Sequence, residues 1–269
     1  RPVLKDITLG QYFPGDSVLH RLDPRTKLVL TLVYIVALFA ASGPVTYGVM
    51  LAALVACVIL SEINLKTILR SLKPLWVILV FTIVLNIFFT GGTVIFQLWF
   101  IKVTREGLII AVKMMARLVM LIVGTFLLTY TTSPIALTDG MERLLSPLKK
   151  IGVPVHELSM MMSIALRFIP TLIEETDKIM NAQKARGADF ESGNLIQRAK
   201  AMLPILVPLF VSAFRRAEEL AVAMESRCYH GGEGRTRLKQ LKMARRDAVA
   251  FLGGAVLAAV IFTLRSFGL

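Results

Sequence analysis

Apolar runs close to bilayer length recur along this chain, at about 28–42, 45–61, 75–90, 107–130 and 247–264. They leave few folds open. A segment that enters hydrocarbon must satisfy every backbone N–H and C=O internally, which restricts it to an α-helix or a strand of a closed barrel. Most of the runs approach the roughly 20 residues a helix needs to span. The first is short for a bilayer unless its basic flank lies among the headgroups. Composition agrees: 55% hydrophobic residues, 18% charged and a mean hydropathy of +0.68 lie outside the range of soluble domains. The expected fold class is all-α, a polytopic membrane protein with about five transmembrane helices and two long cytoplasmic helices.

The formal charge of +13 does not point to nucleic acid, because the bases are spread over connections beside apolar spans and no nucleic-acid motif accompanies them. Residues 1–27 carry Arg1, Lys5, Arg21, Arg25 and Lys27 and lead directly into the first span, so this end is expected in the cytoplasm. The first 25 residues are polar and rich in turn formers, without a cleavable-signal pattern. Asp23 before Pro24 has the order of an N-cap and a first-turn proline. Ser42-Gly43-Pro44 makes an uncharged turn, expected outside. Gly48, Ala52 and Ala56 share one face of the second span, as Ala250, Gly254 and Ala258 do in the last, and both stripes read as packing seams. Lys66, Arg70 and Lys73 mark a return to the cytoplasm before Pro74 opens the third span.

Gly91-Gly92 ends that span, and the apolar stretch Val94–Ile101, with Trp99, is expected to be an interfacial segment on the outer side. The fourth span contains Lys113 and Arg117, one helical turn apart. Two readings stand for this pair: snorkelling to the interface, or a polar seam inside the assembly. Together with Lys102 and Arg105 these bases fall on the proposed outer side, against the charge bias used to orient the chain.

The chain divides on this pattern into a four-span region, 1–131, a cytoplasmic region, 132–246, and a final helix, 247–269. After Thr131-Thr132-Ser133-Pro134 comes a short amphipathic helix with Glu142, Arg143, Lys149 and Lys150. Two long amphipathic rods follow, about 155–186 and 195–227, with Pro170 in the first and Pro204 and Pro208 in the second expected to kink them. Met160, Met161, Met162, Met180, Met202 and Met224 lie along the rods, as core filler or as a surface able to repack against several partners. Arg235, Arg237, Lys239, Lys242, Arg245 and Arg246 form a basic collar before the last span.

Each rod ends on an arginine between small residues: Ala185-Arg186-Gly187 and Ser226-Arg227-Cys228. Such an arginine projects past the rod, and its planar five-donor head suits a groove lined with carboxylates or carbonyls. A solvated helix C-terminus, where arginine favours the dipole and glycine the left-handed cap, is the plainer reading.

Other chemistry is not encoded. Gly231-Gly232-Glu233-Gly234-Arg235-Thr236 lacks the lysine of a phosphate-binding loop and reads as a turn, so the chain is not expected to bind ATP by itself. His20, His156 and His230 lie far apart without ligand spacing, and Cys57 and Cys228 make neither a disulfide framework nor a thiolate set. No metal or cofactor is expected. Glu174-Glu175 reads as a solvated charged face rather than a catalytic pair.

Over essentially its whole length the chain resembles the transmembrane T component of energy-coupling-factor (ECF) transporters, ABC-type importers of vitamins and trace metals. The residues that carry the resemblance are 19–28, Leu-His-Arg-Leu-Asp-Pro-Arg-Thr-Lys-Leu, then Leu166-Arg167-Phe168-Ile169-Pro170, Ala185-Arg186-Gly187 and Ser226-Arg227-Cys228. The resemblance implies a non-catalytic, multi-pass subunit of a prokaryotic cell membrane. Its two rods would be coupling helices whose arginines, Arg186 and Arg227, dock into two ATP-binding ATPase subunits. The ATPases would hydrolyse the nucleotide, and a separate substrate-binding S component in the membrane would be the other partner. The family pattern at both tips is Ala-Arg-Gly, and the second tip departs from it at both flanks, Ser226 and Cys228. The competing class is a self-contained secondary transporter or channel, which needs a polar site near mid-membrane; only Lys113 and Arg117 are on offer for one.

Overall fold

Helix α1 (Pro24–Ala40) begins where the sequence predicts. Asp23 is extended, its carboxylate accepts the Arg25 N–H at 2.9 Å, and Pro24 occupies the first turn, where an N–H has no intrahelical partner to lose. Burial alone would raise the Asp23 carboxyl, but bonds from Arg25 and the charges of Arg25 and Lys27 outweigh it and hold it below its ordinary value. A computed structural model of the chain describes residues 12–98, 101–190, 194–231 and 241–267, without the side chains of 94–98, 101–103 and 195. Arg1, Lys5, Trp99, the glycine-rich turn after Gly231, and Arg235, Arg237 and Lys239 of the basic collar lie outside the described residues. Lys242, Arg245 and Arg246 of the collar are exposed.

The helices that follow are α2 (Pro44–Ser61), α3 (Leu65–Leu72), α4 (Trp76–Phe89), α5 (Arg105–Thr131), α6 (Pro134–Leu145), α7 (Val155–Ala185), α8 (Leu195–Glu225) and α9 (Arg245–Ser266). Turns of 3-10 helix at Lys73–Leu75, around Pro74, and at Ser146–Ile151 link their neighbours. The framework is all-α, as expected, with one local departure. Between α4 and α5 the backbone forms an antiparallel hairpin, β1 (Val94–Leu98) and β2 (Ile101–Thr104), with Val94 opposite Thr104 and Leu98 opposite Ile101. The segment expected to lie along the interface is thus largely strand. Its Val and Ile residues favour a pleated surface, and it is too short for a stable helix. Glu106 ties the hairpin base by accepting the Thr93 N–H at 2.7 Å, and the Thr104 hydroxyl caps α5 by accepting the Gly107 N–H at 3.1 Å.

The described residues form two compact units, 12–140 with 241–267, and 141–231. The core of the first is drawn from α1, α2, α3, α5 and α9, with Leu38, Met50, Tyr130 and Ile261 fully buried. Lys27, buried at the start of α1, donates to Thr131 O at 2.8 Å and Thr132 Oγ1 at 3.2 Å, satisfying the end of α5. Asp247 accepts the Asp23 N–H and the Ala244 N–H, each at 2.8 Å, and so joins the starts of α1 and α9. Gly254 lies against the Leu30 side chain, which an added Cβ would have to displace, so the small-residue stripe of the last helix is a seam with α1. The stripe of α2 is different: Gly48, Ala52 and Ala56 are exposed, and none of the described residues comes within 4 Å of the Gly48 Cβ position.

Among the described residues, five helical stretches are long and apolar enough to cross a membrane by length and composition: α2, Leu65–Phe89, α5, Ile196–Glu225 and α9. The number matches the expectation and the membership differs by one exchange. Helix α1 has 17 residues, because Ala41 turns extended ahead of Gly43-Pro44, and rises only about 25 Å. The second rod, apolar through its middle, qualifies in its place.

In the second unit, α7 and α8 have 31 residues each, roughly 46 Å of rod. Both run unbroken through their prolines. Asn194 precedes α8 with its N–H bonded to Gln197 Oε1 at 3.0 Å, half of a capping box.

Candidate functional site

Both rods end in the same hydrogen-bonded cap. After Ala185, the Gly187 N–H bonds Lys184 O and the Ala188 N–H bonds Gln183 O, each at 3.0 Å, with Gly187 at φ +89°. These two bonds define a Schellman motif with Arg186 as C-cap and glycine in the left-handed position. At the second tip the Cys228 N–H bonds Glu225 O at 2.9 Å and the Tyr229 N–H bonds Met224 O at 3.1 Å, with Cys228 at φ +56°. The bonding is residue-for-residue the same, with Arg227 in the place of Arg186. Cys228 is one of two non-glycine residues with positive φ among those described. A left-handed L-residue costs about 1–2 kcal/mol, and the two carbonyls satisfied by the cap offset it.

Ala185, Arg186, Gly187, Ser226, Arg227 and Cys228 are all exposed. The Ser226 hydroxyl turns back to Ala223 O at 3.1 Å. Among the described residues no ion pair includes Arg186 or Arg227, so both guanidinium groups are available to a partner.

The structure does not bring the two tips together. Two contacts between the rods set their direction: the Tyr229 hydroxyl donates to Met160 Sδ at 3.1 Å, and Arg216 Nη2 pairs with Glu175 Oε2 at 2.6 Å. The position on α7 rises from 160 to 175 while its partner falls from 229 to 216, so the rods are antiparallel. Arg227 therefore lies near the start of α7, while Arg186 lies 26 residues on from Met160, roughly 40 Å along the rod. A single groove cannot hold both.

Sequence reasoning missed these ties. Glu174 is exposed, as expected, but Glu175 is half-buried and paired across the rods. Only the opposite signs of Glu175 and Arg216 could have suggested it. The methionines also divide: Met161, Met162 and Met202 are exposed, whereas Met160, Met180 and Met224 are half-buried. At the start of α7, His156 Nδ1 lies 3.1 Å from Glu142 Oε1. No group of three His, Cys, Asp or Glu residues suited to a metal occurs among the described residues.

Lys113 and Arg117 of α5 reach the carbonyls that follow α1. Lys113 Nζ donates to Ser42 O and Arg117 Nη2 to Ala41 O, each at 3.0 Å, and the Arg117 guanidinium lies over the rings of Phe39 and Tyr47. Both bases thus join α5 to the end of α1, at the negative end of its dipole.

Taken together, these features define a class: a multi-pass helical membrane protein carrying two long rods, each capped by an exposed arginine. Residues 15–238 match the family described as Cobalt transport protein, CbiQ. The chain is 56% identical over 265 residues to the energy-coupling factor transporter transmembrane protein EcfT of Acidaminococcus fermentans, covering 98% of this chain and 97% of that one. It is 58% identical over 255 residues to the EcfT of Thermosediminibacter oceani, with 95% and 96% covered, and 51% identical over 247 residues to that of Lactococcus lactis, with 91% and 93% covered. The chain belongs to this family of ECF transporter transmembrane components.

Proposed function

We propose that this chain is the scaffold and coupling subunit of an ECF importer for a vitamin or other micronutrient. Arg186 and Arg227 are its two handles on a pair of ATP-binding subunits. The observation that carries this reading is the repetition of one cap, with one exposed arginine, at opposite ends of an antiparallel rod pair. Two points roughly 40 Å apart suit two separate grooves, and a guanidinium fork matches a carboxylate or a run of carbonyls in each. The small neighbours Ala185, Gly187, Ser226 and Cys228 let the groove walls close around the arginine. ATP is hydrolysed on the partners, and the rods carry their relative motion to the membrane.

The same rods offer a surface for the substrate-binding S component. Leu203, Leu206, Val207, Phe210 and Val211 on α8 are exposed along an apolar face, with Met161 and Met162 exposed on α7. Thioethers repack easily, which suits a scaffold that accepts more than one S component. On this reading the N-terminus and the rods face the cytoplasm of a prokaryotic cell. The test is the double variant Arg186→Ala with Arg227→Ala. Truncating an arginine buried against charged partners costs about 2–5 kcal/mol, so the double variant should purify from membranes without ATPase subunits and support no ATP-driven uptake. Normal uptake in that variant would overturn the assignment. A chain that transports alone in liposomes would instead establish a self-contained transporter.

A further inference from the structure

The level of Lys113 and Arg117 in the first unit follows from the register of the helices around them. Helix α1 runs antiparallel to α5: Lys27 reaches Thr131 O, the Tyr34 hydroxyl reaches Met120 O at 3.0 Å, and Arg117 reaches Ala41 O. Helix α9 runs parallel to α1 at a constant offset, since Asp23 bonds Asp247, 224 positions on, and Leu30 meets Gly254 at the same spacing. Carried forward, that offset brings Arg265, in the last turn of α9, level with Ala41. Helix α2 starts at Pro44. Three helices therefore end together at the level of Lys113 and Arg117, while α5 continues for 12 residues to Arg105, roughly 18 Å.

Helix α1 is also shorter than the roughly 30 Å of hydrocarbon in a bilayer, and a short helix draws the headgroups in toward its end. The surface beside the two bases is apolar and exposed at Phe39, Val45 and Val112. With Arg265 of α9 at the same level, the bases Lys113 and Arg117 stand against it. Their hydrogen bonds are to carbonyl oxygens at a helix end equivalent to about half a negative charge. Arg117 Nε is buried without a partner, and among the described residues no carboxylate pairs with either base. Lys113 keeps two ammonium donors unused.

We infer that Lys113 and Arg117 hold the phosphate of an anionic phospholipid, in the leaflet that contains the α1–α2 turn, at a place where the bilayer is drawn in beside α1. A lipid fits better than a carboxylate from another protein because the surrounding side chains suit acyl chains. An anionic lipid fits better than a zwitterionic one because, among the described residues, no carboxylate is paired with either base to receive an ammonium headgroup.

The full chain, in the complex it purifies with from membranes, is delipidated in mild detergent, and adducts are counted by native mass spectrometry. The probes are phosphatidylglycerol, phosphatidylcholine with the same acyl chains, and inorganic phosphate. Each base near a charged interface contributes about fivefold, so the unaltered chain should retain phosphatidylglycerol in clear excess over phosphatidylcholine. Lys113→Gln should lower that excess about fivefold, while Lys113→Arg and the remote Lys178→Gln should preserve it. Equal retention of both lipids by the unaltered chain overturns the site, whether or not any variant folds. So does an undiminished preference in Lys113→Gln, an equal loss in Lys178→Gln, or an adduct with inorganic phosphate but none with the lipid.

Discussion

The two tips reach one backbone geometry with different residues. Gly187 enters the left-handed region without a Cβ to hinder it, whereas Cys228 enters it against steric cost. The cap survives the exchange because its two bonds, Cys228 to Glu225 O and Tyr229 to Met224 O, satisfy carbonyls that have no partner within the helix. The residue after the left-handed position differs more. At the first tip it is Ala188, which has no side chain to reach with; at the second it is Tyr229, whose hydroxyl meets Met160 on the other rod. What stays constant is the arginine, one residue ahead of the chain reversal and exposed. The difference teaches that the sequence pattern to read is the place of the arginine in the cap, and that glycine is only one way of building the cap.

The comparison can be broken most directly at the arginines, one at a time. Arg186→Ala and Arg227→Ala should each weaken ATPase-subunit binding by about 2–5 kcal/mol, measured as the affinity of the purified chain for the isolated subunits. If one substitution leaves that affinity unchanged, the tips are not equivalent handles. Cap substitutions have smaller effects and opposite signs. Gly187→Val forces a β-branched residue to φ +89° and should destabilise the chain by about 1–2 kcal/mol, whereas Cys228→Gly should stabilise it by up to about 1 kcal/mol. Melting temperatures in detergent should move apart accordingly; a Cys228→Gly variant that melts lower would show that the thiol makes a contact the cap geometry does not explain. The smallest change is Tyr229→Phe, which keeps the ring and removes the donor to Met160. It should cost about 0.5 kcal/mol, visible as slightly faster hydrogen exchange at the second tip, because a thioether is a weak acceptor.

Much of this was legible along the chain. Asp23-Pro24 announced the start of α1, and Pro74 marks the 3-10 turn ahead of α4. Gly187 marks the first cap. Local chemistry decides each of these, so a short window suffices. The hairpin between α4 and α5 was not legible because an apolar run of that length is ambiguous: its hydropathy suits an interface, and only its pairing register reveals a sheet. The two small-residue stripes look alike in sequence, yet Gly254 packs on Leu30 and Gly48 packs on none of the described residues. A seam needs a second surface, and its presence is not written in the stripe.

The sequence by itself determined the class of fold, because apolar runs of bilayer length have almost no other way to satisfy their backbone than as helices. It also determined the two tips, because a helix end is built from the few residues next to it. Only the tertiary structure decided that the rods are antiparallel, that Arg186 and Arg227 consequently lie at opposite ends of the pair, and that Lys113 and Arg117 close over the end of α1. Those outcomes rest on contacts between residues some 40 to 80 positions apart, such as Glu175 with Arg216 and Arg117 with Ala41. Each costs loop entropy to form, and each is repaid only by surfaces that exist once the helices have packed.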